Sequence, residues 1–471
     1  MKMFIDGKWI EKEEKIAVND PFDNSIVDYV PKGTKQDAIL AVKAAKKGFE
    51  ISKKISVHER ANILFKTAEI VKNNLEDFAL TIAKEGSKTI REARKEARRC
   101  VNTLIVSAEE SKRIFGETIP FDSFTGGENK LGYYYRFPIG VVLCITPFND
   151  PLNLVAHKLG PAIAAGNSVI LKPATVTPLS AIKLVQALLE AGLPPECLQL
   201  ITGNGDELGA PLIQNDIVRM VSFTGGVDAG KKVVCMAGIK KIGMELGSNS
   251  PVIVWNDTDI DYAAESCVSG AFWAAGQNCI GVQRVYIHSS IYNNFKEKFV
   301  GLTSKYKIGN KLLEDTDMGP MITEKEAERV VKWTNDAQNM GAEVLCGGKR
   351  KGAIMEPTVL ENVPENATIH KEEVFGPAVN LYSVSDIDEA IQKSNSLPFG
   401  LHAAIFTDNV NIALKAAYNL ECGGVMINES TDYRLDSMPF GGIKNSGLGR
   451  EGIKFSLQEM TEPKTICFTL R

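Results

Sequence analysis

The chain has 471 residues, a formal net charge of -4, 44% hydrophobic residues and 24% charged residues. Because a single hydrophobic core stops growing at about 250 to 300 residues, this length predicts two or three domains. The balanced charge excludes the strongly basic surface typical of nucleic-acid binding, and no apolar run approaches the length that spans a membrane.

The first residues, "MKMFIDGKWIEKEEK", lack the apolar centre of a signal peptide. The nine cysteines include no pair with CxxC spacing, so the sequence predicts neither a disulfide framework nor a metal site. We therefore expect a cytoplasmic protein with reduced thiols, which binds neither nucleic acid nor membrane.

In chain order, residues 35 to 115 have the apolar spacing of successive helices. From about residue 133, short β-branched runs such as "IGVVLCITPF" and "SVILKPA" alternate with helical segments. This alternation predicts an α/β fold with a largely parallel, doubly wound sheet, and its return after residue 250 predicts a second α/β domain. Residues 121 to 138 predict a hairpin, with "TEPKTICFTL" near the C terminus as a strand that pairs with it.

Two glycine clusters follow predicted strands. Gly203, Gly205 and Gly209 lie in "ITGNGDELG", and Gly225, Gly226 and Gly230 lie in "FTGGVDAG". Such turns let backbone N–H groups and a helix N-terminus approach a pyrophosphate. Neither matches GxGxxG, and each could be an ordinary turn; two in one βαβ array favour a dinucleotide site.

A lysine also ends one predicted strand, Lys172 in "LKPAT". It could hydrogen-bond the hydroxyls of a cofactor ribose, or simply be a solvated strand end. Three residues further, Thr175 is neutral where a dinucleotide site often has an acid, so a 2′-phosphate would not be repelled. The sequence thus permits NADP as well as NAD.

Three separate segments could supply catalytic groups. Cys279 in "WAAGQNCIGVQR" lies among small and polar residues and could be a nucleophile. Glu245 in "GMELGSNSP" could act as a base if burial raises its pKa, and the amide of Asn149 in "CITPFNDP" could donate to an alkoxide. Taken singly, each could be structural, since a free cysteine is usually a small buried hydrophobe.

The chain resembles the aldehyde dehydrogenase superfamily over nearly its whole length. The shared segments, in the family's order, are "ITPFNDPL", "LKPA", "SFTGG", "MELGSNSP", "GQNCIGVQR", "EEVFGP", "FGLHAAIF" and "MPFGGIKNSGLGREG". The resemblance implies a Rossmann-type cofactor domain, an α/β catalytic domain and small β oligomerisation elements. The corresponding domains would be 1–119 with 139–247, then 248–445, and finally 120–138 with 446–471. It also implies a homodimer or homotetramer.

The resemblance also implies an NAD(P)-dependent reaction on a small-molecule aldehyde. Cys279 would form a thiohemiacetal and then a thioester, Asn149 would stabilise the alkoxide, and Glu245 would activate the water that releases a carboxylate. The presence of Glu245 favours hydrolysis over transfer to coenzyme A. The implied cofactor residues are Ile145, Thr146, Pro147, Phe148, Lys172, Thr175, Gly205, Phe223, Thr224, Gly225, Gly226, Leu246, Glu373 and Phe375.

Several residues at substrate-lining positions depart from the common family pattern: Arg99, His157 and Arg434, beside Asn149 and Asn278. Two arginines and a histidine would bind an anionic tail. This resembles the lactaldehyde dehydrogenase-like branch, which includes enzymes acting on sulfonate- and phosphonate-bearing aldehydes such as sulfolactaldehyde and phosphonoacetaldehyde.

Each of these substrate residues also has a structural interpretation. Arg99 lies opposite the apolar stripe of its helix and could be solvated. His157 could be a core histidine, and Arg434 could pair with Asp432 or Asp436. Asp150, where the family usually has an aromatic residue, has no explanation from the sequence unless it holds His157 or an arginine.

Four alternatives remain at this point. Within the family, the rival substrates are succinate semialdehyde and glyceraldehyde 3-phosphate, the latter without phosphorylation. Outside it, a cofactor-free cysteine hydrolase would turn over esters without nucleotide and would leave Lys172 and the glycine turns without a role. A nucleotide-binding protein without turnover would leave Cys279, Glu245 and Asn149 without one.

Overall fold

The computed structural model describes residues 1–471. The chain forms fifteen α-helices. In chain order they are α1 Lys35–Ser52, α2 Val57–Asn73, α3 Leu75–Glu85, α4 Ile90–Ser111, α5 Asn153–Ala165, α6 Leu179–Glu190, α7 Gly205–Ile213, α8 Val227–Ala237, α9 Ile260–Phe272, α10 Tyr292–Thr303, α11 Glu324–Asn339, α12 Thr368–Lys371, α13 Ile387–Asn395, α14 Val410–Asn419 and α15 Ile453–Glu459. None of them is long and apolar enough to cross a membrane.

The strands number twenty-two. In chain order they are β1 Met3–Ile5, β2 Lys8–Ile10, β3 Lys15–Asn19, β4 Ile26–Pro31, β5 Glu117–Thr118, β6 Lys130–Pro138, β7 Val141–Ile145, β8 Ser168–Lys172, β9 Leu198–Leu200, β10 Val218–Thr224, β11 Lys241–Glu245, β12 Ser250–Val254, β13 Val282–His288, β14 Glu343–Cys346, β15 Arg350–Lys351, β16 Ile354–Met355, β17 Thr358–Glu361, β18 Ala378–Val384, β19 His402–Phe406, β20 Gly424–Ile427, β21 Gly447–Leu448 and β22 Thr461–Thr469. Two large sheets and three small ones result.

The first large sheet has the strand order β2-β1-β9-β8-β7-β10-β11-β21. Strands β7 to β11 are parallel to one another. From β7 the chain continues outward through β8 and β9 on one side and then through β10 and β11 on the other. The predicted α/β fold with a doubly wound parallel sheet is therefore confirmed, and its switch point lies between β7 and β10, where ligands bind in such sheets.

The second large sheet has the order β14-β17-β18-β13-β12-β19-β20. All of its strands are parallel except β14, which runs antiparallel to β17. Its central strands, such as β12 with the sequence SPVIV, are buried along their whole length. Continuous apolar runs of this kind are typical of strands covered by helices on both faces.

A three-stranded antiparallel sheet in the order β22-β6-β5 projects from the first large sheet. The predicted pairing of the C-terminal strand with residues 130–138 is present, from Thr461 opposite Pro138 to Thr469 opposite Lys130. The first strand of the predicted hairpin lies earlier than expected, at Glu117–Thr118, because residues 121–123 form a 3-10 turn instead.

The C-terminal segment 446–471, predicted to be an oligomerisation element, divides in this structure. β21 pairs with β11 of the first large sheet, and α15 packs on α4 and α5. Apolar side chains of α15, including Ile453 and Leu457, are buried and hold this helix against the body of the molecule. Within this segment, β22 alone belongs to the three-stranded sheet.

Candidate active site

The carboxyl ends of β7, β8, β10 and β11 lie side by side at one edge of the first large sheet. The strand registers place Ile145 beside both Lys172 and Phe223, and Thr224 beside Glu245. Residues that are up to 100 positions apart in the chain therefore end at one edge of one sheet. This edge is also the switch point of the sheet, where a dinucleotide binds in doubly wound folds.

Polar groups at this edge have few partners within the protein. The hydroxyls of Thr146 and Thr224 are buried and make no hydrogen bond. Lys172 is buried, donates one hydrogen bond of 3.2 Å to the carbonyl of Pro173, and has its pKa lowered to about 8 by burial. Buried polar groups are normally hydrogen-bonded, so these three side chains fit a polar ligand such as the nicotinamide ribose of NAD or NADP.

Backbone groups suited to a pyrophosphate lie nearby. Gly226 is the N-cap residue of α8, and no side chain caps the free N–H groups of that helix. A Cβ at Gly226 would meet nothing within 4 Å, so a phosphate can approach, whereas at Gly225 a Cβ would come within 2.7 Å of the Phe223 ring. The N-terminus of α8 thus fits an anionic group.

The remaining residues predicted to bind the cofactor from the first domain follow strands of the same sheet or begin the helices after them. Thr175 donates a hydrogen bond of 3.0 Å to the carbonyl of Gly203, and Gly205 is the first residue of α7. Leu246 directly follows β11, and a Cβ on Gly230 of α8 would come within 2.4 Å of its side chain. The sequence Ile145-Thr146-Pro147-Phe148 leaves β7 at its carboxyl end.

Two further cofactor candidates come from the second domain. Glu373 is half-buried, accepts a 2.8 Å hydrogen bond from the Ser248 N–H, and has its pKa raised to about 7 by desolvation. Phe375 has a φ of +44° and packs edge-on against Phe148, with 5.6 Å between ring centroids. The structure therefore brings residues of both domains to the two sides of one cleft.

Cys279 lies in the loop that joins α9 to β13. Just before it, Ala274, Ala275 and Gly276 have φ values of +50°, +56° and +70°, in the left-handed region. A Cβ at Gly276 would lie 2.2 Å from the carbonyl oxygen of Gly376, so only glycine lets the backbone pass there. This strained turn aims the following residues into a cavity.

Two buried side chains that the sequence analysis did not identify hold this turn. Gln277 donates to the carbonyl of Ala274 over 2.9 Å and accepts from the Ile322 N–H over 2.8 Å. Glu92 accepts from the Ala274 N–H over 2.9 Å and also caps α4 through the Thr89 N–H. The cysteine loop is therefore anchored to helices of both domains.

Cys279 and Asn149 line the same cavity, whose volume is ≈ 350 Å³. Asn278, Arg99, Arg434, Asp150 and Lys88 also line it. Neither the thiol of Cys279 nor the amide of Asn149 bonds to the protein, whereas Asn278 accepts a 3.3 Å hydrogen bond from the Ile280 N–H. A free thiol and a free amide facing one cavity can attack a carbonyl and donate to the resulting oxyanion.

The charges around Cys279 favour its neutral form in the free protein. Burial raises the pKa of its thiol to about 12, the guanidinium of Arg434 lowers it, and the carboxylates of Glu373, Glu245 and Glu451 raise it again. The same effects show that these four charged groups lie close enough to interact with the sulfur. The thiol must therefore lose its proton as the reaction begins.

Glu245 ends β11 and is buried, outside the residues that line the cavity. Burial and the neighbouring carboxylate of Glu451 raise its pKa well above the ordinary value, and its Oε2 has no hydrogen-bond partner. Because this pKa is raised, the base form of Glu245 becomes populated only as the pH increases. An unpaired buried carboxyl of this kind is suited to removing a proton from water.

The two predicted substrate arginines both line the cavity and both have carboxylate partners. Arg99 donates to Asp436 over 2.9 Å, and Arg434 donates to Glu451 over 3.2 Å while its guanidinium lies 3.7 Å from the Phe440 ring centroid. The alternative pairing of Arg434 with Asp432 or Asp436 does not occur. Nη1 of each arginine donates no hydrogen bond, which leaves a donor for a ligand.

His157 does not line the cavity, so its predicted role as a substrate ligand is wrong in this structure. It lies in the middle of α5, is 0% exposed, and its Nε2 contacts Asp436 over 2.9 Å. Burial lowers its pKa, so we assign it as a neutral donor to that carboxylate. His157 therefore helps to hold Asp436, which in turn holds Arg99.

Asp150, unexplained by the sequence, forms an ion pair with Lys88 and lies 3.8 Å from Nη1 of Arg99. Lys88 also bonds to Glu96 over 2.7 Å, and Glu96 accepts from the N–H groups of Leu152 and Asn153 at the start of α5. The sequence analysis did not identify Lys88 or Glu96. For Glu96 the available signal was its spacing from Glu92 and Arg99, at four and three residues, which places these three on one face of α4. Lys88 precedes the helix, so helical spacing gives no signal for it.

Comparison with known proteins places this geometry in context. Residues 9–466 match the sequence model of the aldehyde dehydrogenase family. Aspartate-semialdehyde dehydrogenase 1 of Pseudomonas canavaninivorans is 48% identical over 458 residues, covering 97% of each chain. The 3-sulfolactaldehyde dehydrogenase of Priestia aryabhattai is 44% identical over 468 residues, covering 99% of this chain and 98% of the relative.

Among solved structures, a glyceraldehyde-3-phosphate dehydrogenase of Methanocaldococcus jannaschii, complexed with NADP, has a TM-score of 0.94 and 38% sequence identity. The match covers 98% of this chain and 100% of that one. The similarity therefore extends over both large sheets and over the cleft between them.

Proposed function

Because this chain belongs to the aldehyde dehydrogenase family, we propose that it oxidises a small anionic or 2-hydroxy aldehyde, of the lactaldehyde, sulfolactaldehyde or phosphonoacetaldehyde type, to its carboxylate. The enzyme is an NAD(P)-dependent aldehyde dehydrogenase. The observation that supports the acid-bearing substrate is one cavity that contains the free thiol of Cys279 together with Arg99 and Arg434.

Cys279 and Asn149, which line this cavity, and Glu245, which lies outside it, have distinct roles in the proposed reaction. The thiol of Cys279 loses its proton to solvent water, its sulfur adds to the carbonyl carbon, and the amide of Asn149 donates to the alkoxide of the thiohemiacetal. Bound NAD or NADP supplies the acceptor for the hydride that leaves as the alkoxide collapses to a thioester. Glu245 then takes a proton from a water molecule that attacks the thioester, and the carboxylate and the thiol are released.

The acid group of the substrate would contact the guanidinium groups of Arg99 and Arg434. Hydrogen bonds between arginine and an ionised acid are strong and can be bidentate, so they fix the aldehyde relative to the sulfur. The names of the relatives agree with this arrangement, since aspartate semialdehyde, sulfolactaldehyde and glyceraldehyde 3-phosphate all carry an acid group.

We also propose that the protein works in the cytoplasm as a homodimer or homotetramer. Large apolar side chains of the three-stranded sheet are exposed in the single chain, among them Leu131 at 60%, Tyr135 at 52% and Phe468 at 49%. Apolar surfaces of this kind usually mark an interface.

A substrate panel tests the proposed reaction. Lactaldehyde, sulfolactaldehyde, phosphonoacetaldehyde, succinate semialdehyde and neutral propanal are assayed with NAD and with NADP. We expect kcat/KM for acid-bearing aldehydes to exceed that for propanal by about 100-fold, as two charge-assisted hydrogen bonds would give. Hydrolysis of esters without nucleotide, at rates above any aldehyde oxidation, would instead indicate a cysteine hydrolase.

The arginine contact has its own test. Arg99→Leu should raise KM for the preferred acid-bearing aldehyde about 10-fold or more, which corresponds to about 1.4 kcal/mol, and should change propanal oxidation little. Unchanged kinetics for both aldehydes would remove Arg99 from the substrate site.

A further inference from the structure

The cavity beside Cys279 contains acids as well as bases. Three cations line it, Lys88, Arg99 and Arg434, and so do three carboxylates, Asp150, Glu429 and Asp432. A site that receives an acid group alone has no need of carboxylates, since each one repels the substrate. The role of these three acids therefore needs an explanation.

The cavity cations already have carboxylate partners. Lys88 pairs with Glu96 and Asp150, Arg99 with Asp436, and Arg434 with Glu451. Asp150 is thereby accounted for, because it neutralises the buried ammonium of Lys88. The charges on this side of the cavity are balanced before any substrate binds.

Glu429 and Asp432 have no such cation. Glu429 accepts only from the hydroxyl of Ser266, over 3.3 Å, and from the adjacent Ser430 N–H, over 2.9 Å. Asp432 forms no ion pair, and its polar partners are the hydroxyl of Ser430 and its own backbone N–H, which lower its pKa against the effect of burial. The ammonium of Lys95, which slightly lowers the pKa of Asp432, lies instead over the ring of Trp273, at 4.9 Å.

The fold holds Asp432 against α9 in this position. A Cβ at Gly270 would come within 2.8 Å of Asp432 Oδ1, so the absence of a side chain there lets the carboxylate lie against the helix. Burial raises the pKa of Asp432, as expected for a carboxylate without a nearby cation. A partly desolvated, unpaired carboxylate in a cavity is complementary to a cationic group of a ligand.

We propose that the substrate is a zwitterion, an aldehyde that carries an ammonium group beside its acid group. This inference rests on the proposed oxidation of an acid-bearing aldehyde and names a narrower class within it. Asp432 and Glu429 receive the ammonium, and the guanidinium groups of Arg99 and Arg434 receive the acid. An aldehyde derived from an amino acid side chain has both groups on one carbon.

Matched aldehydes test this inference on the unmodified enzyme. Aspartate semialdehyde has the ammonium and the carboxylate, succinate semialdehyde lacks the ammonium, its 2-hydroxy analogue replaces the ammonium with a neutral group, and 3-aminopropanal lacks the carboxylate. We expect kcat/KM for aspartate semialdehyde to exceed that for each of the other three about 10-fold or more.

The outcomes of this comparison are distinguishable. If succinate semialdehyde or the 2-hydroxy analogue is oxidised as well as aspartate semialdehyde, the zwitterion is wrong and the acid-bearing aldehyde stands. If propanal or 3-aminopropanal is preferred, or no aldehyde is oxidised, the proposed function fails and this inference fails with it.

A variant then locates the ammonium. Asp432→Asn, which keeps the shape of the side chain, should lower the ratio of kcat/KM for aspartate semialdehyde to that for succinate semialdehyde about 10-fold. Asp408→Asn is the matched control, because Asp408 is exposed and its side chain makes no hydrogen bond or ion pair, and it should leave the ratio unchanged. If Asp432→Asn has the same kcat/KM ratio as the unmodified enzyme and unfolds at the same temperature as Asp408→Asn, the assignment of Asp432 as the ligand of the ammonium is wrong.

Discussion

The sulfur of Cys279 combines two properties that usually oppose one another. It faces a cavity open to substrate, yet burial and three nearby carboxylates hold the pKa of its thiol at about 12. A protonated thiol is a weak nucleophile and resists oxidation, since the thiolate is the reactive form.

This protonation state has a measurable consequence. Below its pKa the thiolate fraction rises about tenfold per pH unit, so alkylation of Cys279 by iodoacetamide should do the same between about pH 7 and 9 in nucleotide-free enzyme. Mass spectrometry of the peptide containing Cys279 measures the rate, and Cys279→Ser provides the blank. A plateau reached below about pH 8 would show that the thiolate is already formed.

At the scale of elements, the loop from α9 to β13 determines where the sulfur lies. Gly276→Ala should lower the free energy of unfolding by about 2 kcal/mol, and should also lower kcat, because a Cβ there collides with the Gly376 carbonyl. Gly192→Ala is the control, since Gly192 has a φ of +101° with nothing within 4 Å of its Cβ position.

Urea unfolding and steady-state kinetics of the two variants separate the backbone strain of an alanine in the left-handed region from the collision of its Cβ with the Gly376 carbonyl. Both substitutions place alanine in the left-handed region, but only Gly276→Ala should displace the catalytic loop. Equal losses of stability and equal kcat values in the two variants would mean that the close approach to Gly376 does not position Cys279.

Helix α4 shows which buried residues the sequence could predict and which it could not. Its apolar stripe predicts one buried face, and the residues Ala93, Ala97, Cys100 and Leu104 are indeed buried. The face that carries Arg99, for which the sequence left open both a pocket and a solvated position, is also largely buried, through Glu92, Glu96 and Thr103. Hydrophobic periodicity cannot detect a polar interface, because its partners at the cysteine loop and at α5 come from distant segments.

The same limit explains the positions that the sequence misplaced. His157 and Arg434 are both polar residues in segments expected to line the cavity, but only Arg434 lines it. His157 lies on the buried side of α5 and contacts Asp436, whereas Arg434 lies in a loop and lines the cavity. The strand ends that form the cofactor cleft were more predictable, because parallel strands bring their carboxyl ends to one edge.

At the scale of the whole molecule, the two large sheets face a shared cleft, and the small three-stranded sheet projects away from it. This sheet exposes aromatic side chains, with Tyr135 and Phe137 packed edge-on at 5.9 Å. The proposed homo-oligomer would cover them. The small sheet would thus serve assembly, while the cleft remains open to cofactor and aldehyde.

Tyr135→Asp tests that arrangement. The carboxylate would have to be buried in the subunit interface, so the molar mass measured by light scattering should fall to that of a smaller species. Tyr418→Asp is the control: Tyr418 is 84% exposed on α14, away from the small sheet. A Tyr135→Asp protein with the unchanged oligomeric mass would exclude this sheet as the interface.

The most direct test of the mechanism is to stop the reaction at its covalent stage. In Glu245→Gln, the thiohemiacetal should still form and collapse, but the thioester should not be hydrolysed. Mixing this variant with NAD(P) and an acid-bearing aldehyde should give a burst of about one reduced nicotinamide per subunit. Mass spectrometry should then find the acyl group of the corresponding acid on Cys279. Continued turnover without an adduct, or an acyl group on another residue, would contradict the assignment of Cys279 as nucleophile and Glu245 as base.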